Sequence, residues 1–213
     1  MAEQNQQPKK KKGAKKVSFE VKMPLTSSKI HVYGYSVEEL AGGIVCLDLT
    51  RSLKGRSFEL KTRLKIEDGE LAGDAISLIL AGSYVRRMMR KGTDYVEDSF
   101  ETNCRDKAIR IKPFLITRNK VSRAVRRELR NQAKKIVEAY VKALTADEIF
   151  SDIIANKLQK TLSLRLKKVY PLALCEIRHF EVVGEIDKKK QAKEDKVKEE
   201  EKNRKEAEEK EED

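Results

Sequence analysis

The chain has no tryptophan, two histidines, three cysteines and four prolines in 213 residues, and aromatic residues make up only 6%. Cys46, Cys104 and Cys175 are scattered and odd in number. Such a set does not make a disulfide framework; it fits a reducing, cytoplasmic setting in which each thiol is a small core residue. No CxxC pair occurs, so neither zinc nor any other cofactor is expected. Long apolar runs are missing as well. The stretch Ile76–Ala81 is broken by Ser77 and is far too short to cross a bilayer, so no membrane partner is expected. Lys9–Lys12 have no apolar run behind them, unlike a secretory signal. GxxxxGK[ST], GxSxG and HExxH are all absent, and with them the usual grounds for an enzyme acting on a small-molecule substrate.

Charge is what the chain has in excess. Charged residues reach 38%, against a usual quarter or so, and 47 basic against 35 acidic residues give +12. Residues 1–16 hold six lysines and one acid, and residues 188–213 hold ten basic and eleven acidic residues, which leaves +8 on 17–187. The expected organisation is therefore a basic tail (1–16), a globular cationic domain (17–187) and a Lys/Glu tail (188–213). The C-terminal tail offers favourable pairs such as Glu194–Lys198 but no apolar face, and both tails are expected to be disordered alone.

The hydrophobic pattern predicts an α+β fold. Residues 29–117 read as strands, Ile30–Tyr33, Ile44–Leu49, Arg56–Ile66 and Ala75–Leu80 among them, with a turn at Glu67-Asp68-Gly69 and a short helix at 83–91. A small barrel-like or curled antiparallel sheet follows from such spacing. Tyr95–Thr102 and Lys107–Thr117 predict a hairpin, with Pro113 marking an edge or bulge. From 118 to 168 the period is helical: one long helix near 120–143, a second opened by the capping box Thr145–Glu148, and a third stopping before Pro171. Leu172–Val183 reads as a closing strand.

The long helix carries the sharpest functional signal. At about 100° per residue, Lys120, Arg123, Arg127, Arg130 and Lys134 fall within an arc of about 80°, a cationic row about 21 Å long. Val125, Leu129, Ala133, Ile136 and Tyr140 fill a second arc pointing largely away from it. Arg126 and Lys135 flank the row, and Glu128 is the one acid between 118 and 137. A merely solvated face would mix signs, because like charges at this spacing cost a few tenths of a kcal/mol per pair. A row of one sign points to an external polyanion. Arg86/Arg90 and Arg87/Lys91 repeat the theme as i,i+4 pairs on the short helix. Lys54 and Arg56 flank Gly55 in a turn, and Arg118 with Lys120 marks the junction into the long helix.

Other chemistry is thinner. Asp94, Glu97, Asp98 and Glu101 form an acidic patch. It could hold Mg²⁺ for a nuclease through Asp94, Glu97 and Asp98, but it reads more simply as strand charges balancing nearby arginines. Tyr33, Tyr35, Tyr84 and Tyr95 could stack on unpaired bases, although a core or half-buried role is the stronger reading for any one of them. His31 and His179 read as packed histidines.

Four segments in register resemble one family. Leu53-Lys54-Gly55-Arg56-Ser57-Phe58-Glu59, Lys107-Ala108-Ile109-Arg110-Ile111-Lys112-Pro113-Phe114, the basic long helix, and Lys167-Lys168-Val169-Tyr170-Pro171-Leu172 with its following strand are similar to the archaeal and eukaryotic small-subunit ribosomal protein family called S-one-e or S-three-a-e. The likeness spans about 44–183 and has an archaeal cast. Leu80-Ala81-Gly82-Ser83-Tyr84 is shorter than the family's usual segment there. The resemblance implies a non-enzymatic ribosomal protein on the platform of the small subunit, near the messenger exit. Its partners would be ribosomal RNA, neighbouring platform proteins and nearby messenger RNA. A free-standing RNA chaperone or RNA-processing accessory protein is the second reading, and a protein–protein adaptor built on the C-terminal arm a further one.

Overall fold

The computed structural model describes residues 15–185 apart from 24, 27–29, 54 and 68–69. Residues 1–14, the C-terminal tail and the turn expected at Asp68-Gly69 therefore lie outside the described residues. The chain is α+β, as expected, and divides into two compact units at Leu78/Ile79.

The first unit holds β1 (Val17–Lys22), β2 (Ile30–Gly34), the single-turn α1 (Val37–Leu40), β3 (Ile44–Asp48), β4 (Phe58–Glu67) and most of β5 (Glu70–Leu80). Its strands run in the order β2-β1-β5-β4-β3. β1 was not foreseen as a strand. Neither was its parallel pairing with β5, Val21 opposite Leu71, so the sheet is mixed rather than antiparallel. A parallel neighbour cannot be reached through a tight hairpin, and β2, α1, β3 and β4 all intervene. β2 and β3 do not pair with each other among the described residues, so this is an open sheet and not a barrel. Alternation buries Phe58, Leu60, Thr62 and Leu64 along β4, as the period of two requires. Val21, Met23, Leu64 and Leu71 form a core against which Phe19, Ile30, Val32, Val45 and Leu47 pack.

The second unit is built on β8 (Lys107–Thr117). β9 (Leu172–Glu185) runs antiparallel along one edge of it, and β6 (Tyr95–Glu97) and β7 (Phe100–Asn103) line the other. The register of β8 against β9 shifts at Lys112/Pro113, the irregularity that a strand residue without an N–H imposes. The remaining elements are α2 (Gly82–Met88), α3 (Arg123–Val141), α4 (Ala146–Ile154) and α5 (Lys157–Leu166). The Thr145–Glu148 capping box opens α4 as its sequence predicts. α3 packs on β6 and β7 while α5 packs on β9. Phe150 and Phe180, both fully buried, meet edge to face at 4.6 Å, the favoured arrangement for aromatic quadrupoles.

Candidate nucleic-acid interface

α3 begins later than its sequence pattern implies. Ser122 caps it by accepting from Val125 N at 3.5 Å, so Lys120 lies before the helix, in the junction with Arg118. The helical members of the row are thus Arg123, Arg127, Arg130 and Lys134, all exposed. The buried stripe is Leu129, Ala133, Val137 and Val141; Val125, Ile136 and Tyr140 are only half-buried. Residues four apart advance about 40° around the axis per step, so this stripe winds toward the cationic side. The cations consequently lie about 70–80° from the buried face rather than opposite it, and Val137 and Val141 end the row by turning that side inward. Arg126 sits on the border, half-buried, and its Nε has no partner among the described residues.

The row is not neutralised from within. Among the described residues Lys120, Arg123, Arg127 and Arg130 have no carboxylate partner, and the intervening Glu128 accepts from Gln132 Nε2 at 2.7 Å instead. Lys134 is the exception. Its Nζ stands 3.9 Å from Glu138 and 5.7 Å from the centre of the Phe100 ring.

A second set of cations is tied to the start of the row. α2 is seven residues long and stops at Met88, so Arg90 and Lys91 are not helical, and the expected i,i+4 pairs do not form. Both are exposed in a turn that Thr93 closes, its hydroxyl donating to Arg90 O at 2.8 Å. Gly92 takes φ +84° there, a conformation that favours glycine. Asp94 then clamps this turn to the junction before α3. Its carbonyl accepts from Thr117 N at 2.9 Å and its N–H donates to Thr117 Oγ1 at 3.1 Å. Its carboxylate accepts from Val121 N at 3.0 Å. Arg90, Lys91, Arg118 and Lys120 are thereby held at one connected backbone site. Arg86 and Arg87 are exposed too, but the first donates to Gly82 O at 3.4 Å and the second lies 5.5 Å over Tyr84.

The turn at Gly55 (φ +92°) forms as predicted but belongs to the first unit. Lys54 lies outside the described residues, and Arg56 is half-buried with its guanidinium 5.9 Å over Phe58. The acidic patch is engaged elsewhere. Both Glu97 oxygens accept from Arg178 at 2.6 Å, Glu101 accepts from Arg110 at 2.7 Å, and Asp98 accepts from Ser99 N at 2.9 Å. Among the described residues no group of three or more His, Cys, Asp or Glu side chains is placed to hold a metal. Cys46 and His31 are exposed, not packed as expected, whereas Cys104 and Cys175 are buried. Burial pushes the Cys175 thiol up to about 12, with Glu176 adding to the effect, which makes it a poor nucleophile. Asp94 was read from the sequence only as a member of the acidic patch, and its clamping of Thr117 and Val121 was missed. The only local hint was its place directly after a Gly-Thr turn.

No helix among the described residues is long and apolar enough to cross a membrane. Residues 4–185 match the model of the Ribosomal S3Ae family. Curated relatives include three archaeal proteins named small ribosomal subunit protein eS1. The one from Nanoarchaeum equitans is 23% identical over 176 residues, covering 78% of this chain and 88% of that protein. Those from Ignicoccus hospitalis and Sulfurisphaera tokodaii are 26% and 25% identical over 105 and 99 residues, about half of each chain. The chain belongs to the Ribosomal S3Ae family.

Proposed function

We propose that this member of the family is a structural constituent of the small ribosomal subunit. It holds ribosomal RNA mainly through phosphate contacts, on the platform near the messenger exit, and supports translation in the cytoplasm beside other platform proteins. The observation that carries the reading is a set of cations none of which is ion-paired among the described residues: Arg123, Arg127 and Arg130 exposed on α3, and Arg90, Lys91, Arg118 and Lys120 fixed beside its start by Asp94, whose carboxylate is engaged by Val121 N–H. Repulsion within that set is relieved when a nucleic-acid backbone supplies the negative charge and its counterions are released. The names of the archaeal relatives point to the particle in which that RNA is found.

Within this reading Arg126 and Lys134 add weaker contacts, since each already spends part of its side chain on the protein. Arg86, Arg87, Lys54 and Arg56 are secondary. Residues 17–187 act as the RNA-binding body, and Lys9–Lys12, Lys15 and Lys16 supply further positive charge from the N-terminal arm. No chemical step is assigned, because the carboxylates that a metal-dependent nuclease would need are occupied by Val121 N–H, Ser99 N–H and Arg178.

Sedimentation of cell extracts at high salt tests the assignment. A subunit component co-migrates stoichiometrically with the small subunit. A protein that washes off into the light fractions is an accessory RNA-binding factor, and the ribosomal reading then fails.

A further inference from the structure

We propose that the ring of Tyr95 is a stacking platform for an unpaired RNA base, so that the strand bound at the Arg90–Lys91 turn and the Arg118–Lys120 junction is single-stranded or bulged at that point. The inference rests on the phosphate-binding reading above and adds to it the class of RNA taken at that site.

Tyr95 follows the Asp94 clamp directly and pairs with Ile116 of β8. It is 52% exposed, although it opens a strand whose next residue, Val96, is buried. One side of its ring is backed by Phe114, itself 1% exposed, at 6.1 Å between centroids and a 35° tilt. The backing fixes the ring while leaving area uncovered, so little side-chain freedom remains to be lost when a base lands on it. Its hydroxyl has no partner among the described residues. Tyr140, by contrast, donates to Asp152 at 2.6 Å, the use expected of a tyrosine kept for structure. Along the backbone, cations flank Tyr95: Arg90 and Lys91 in the turn leading to it, and Arg118 and Lys120 just past Thr117, which is bonded to its neighbour Asp94. Met89, 44% exposed, caps the end of α2 directly before that turn.

An aromatic face between backbone-binding cations is the combination by which proteins hold single strands, because every base offers a π-face. A continuous duplex presents phosphates and 2′-hydroxyls but keeps its base faces stacked. Tyr33 and Tyr35 are exposed as well, but they belong to the first unit, and no comparable hydrogen-bonded cationic turn accompanies them among the described residues. Tyr84 is buried under Arg87.

The test compares the whole protein with Tyr95→Ala and Tyr95→Phe on three probes: a short oligouridylate, the same ribose-phosphate oligomer without bases, and a blunt RNA duplex. Tyr95→Ala should weaken oligouridylate binding about 5- to 150-fold, whereas Tyr95→Phe should stay within about twofold. Neither should change affinity for the abasic oligomer or the duplex, and the duplex also reports that the variants are folded. Unchanged oligouridylate binding by Tyr95→Ala overturns the proposal, as does an equal loss on all three probes, which would make the ring structural. Wild-type affinity for the duplex and the abasic oligomer tests phosphate binding by itself, so the two readings fail separately.

Discussion

Replacing Asp94 with alanine sets two effects of opposite sign against each other. Electrostatics alone says that removing a carboxylate from the side of Arg90, Lys91, Arg118 and Lys120 raises the net charge of +12 by one unit and tightens RNA binding. The clamp says the reverse. The backbone bonds between Asp94 and Thr117, at 2.9 Å and 3.1 Å, survive the change, and what is lost is the carboxylate's bond from Val121 N at 3.0 Å. Hydrogen bonds to charged groups contribute about 1.5–3 kcal/mol. Asp94 is half-buried and water can replace part of the bond, so we expect a loss of about 1–2 kcal/mol. For a chain of this size the melting temperature then falls by about 2–8 °C. The freed junction must be re-ordered on RNA, at about 1–2 kcal/mol per residue fixed. The cations that Asp94 faces are exposed and screened by salt, so its charge offsets their pull on RNA by at most about 1 kcal/mol, and affinity should drop several-fold. Fluorescence anisotropy with a labelled small-subunit RNA fragment, run beside thermal unfolding, reads both quantities. Asp94→Asn is the control: it makes the same charge change but keeps an oxygen acceptor for Val121, and should bind at least as tightly as wild type. Tighter binding by Asp94→Ala, or identical behaviour of the two variants, refutes the clamp.

Phe150→Ala removes a fully buried ring set edge-on against Phe180 and should cost about 3–5 kcal/mol in urea unfolding, leaving RNA affinity of the folded fraction unchanged. Arg126→Met should be neutral or stabilising by up to about 1 kcal/mol, because it removes a buried Nε with no partner, and should weaken RNA binding; a clear destabilisation in the same unfolding assay contradicts this. Burial, with the bond to Asp152 second, pushes the Tyr140 phenol up to about 12. The fold therefore favours the neutral phenol: its contribution is complete below about pH 10, where an unfolded tyrosine titrates, and is lost as pH rises from there through about 12. Ultraviolet titration of the six tyrosines should show a late component that Tyr140→Phe abolishes and Asp152→Asn moves down.

What was legible in the sequence had a local cause. The capping box at Thr145–Glu148, the helix stop before Pro171, the register shift at Pro113 and the glycine turn at Gly55 each follow from the stereochemistry of a few residues. The cationic row was legible because a helical period and a single sign coincide. The buried side of α3 was read partly wrong: Val137 and Val141 turn inward instead of Ile136 and Tyr140. Adjacent apolar residues compete for one face, and packing against distant elements decides between them. β1 had an adequate signal, Val17, Phe19 and Val21 alternating with Ser18, Glu20 and Lys22, but the lysine-rich stretch before it masked the pattern. Its parallel pairing with β5 and the Asp94 clamp join residues far apart in sequence, and no period or spacing encodes such contacts.

The salt dependence of RNA binding by Arg123→Gln/Arg127→Gln/Arg130→Gln is the most direct measurement of the central claim, that exposed α3 cations are neutralised by RNA phosphates. Each phosphate contact on a duplex contributes about −0.9 to the slope of log K against log salt. Loss of three contacts should make the slope shallower by about 3 and weaken binding most at low salt. An unchanged slope with unchanged affinity would contradict it.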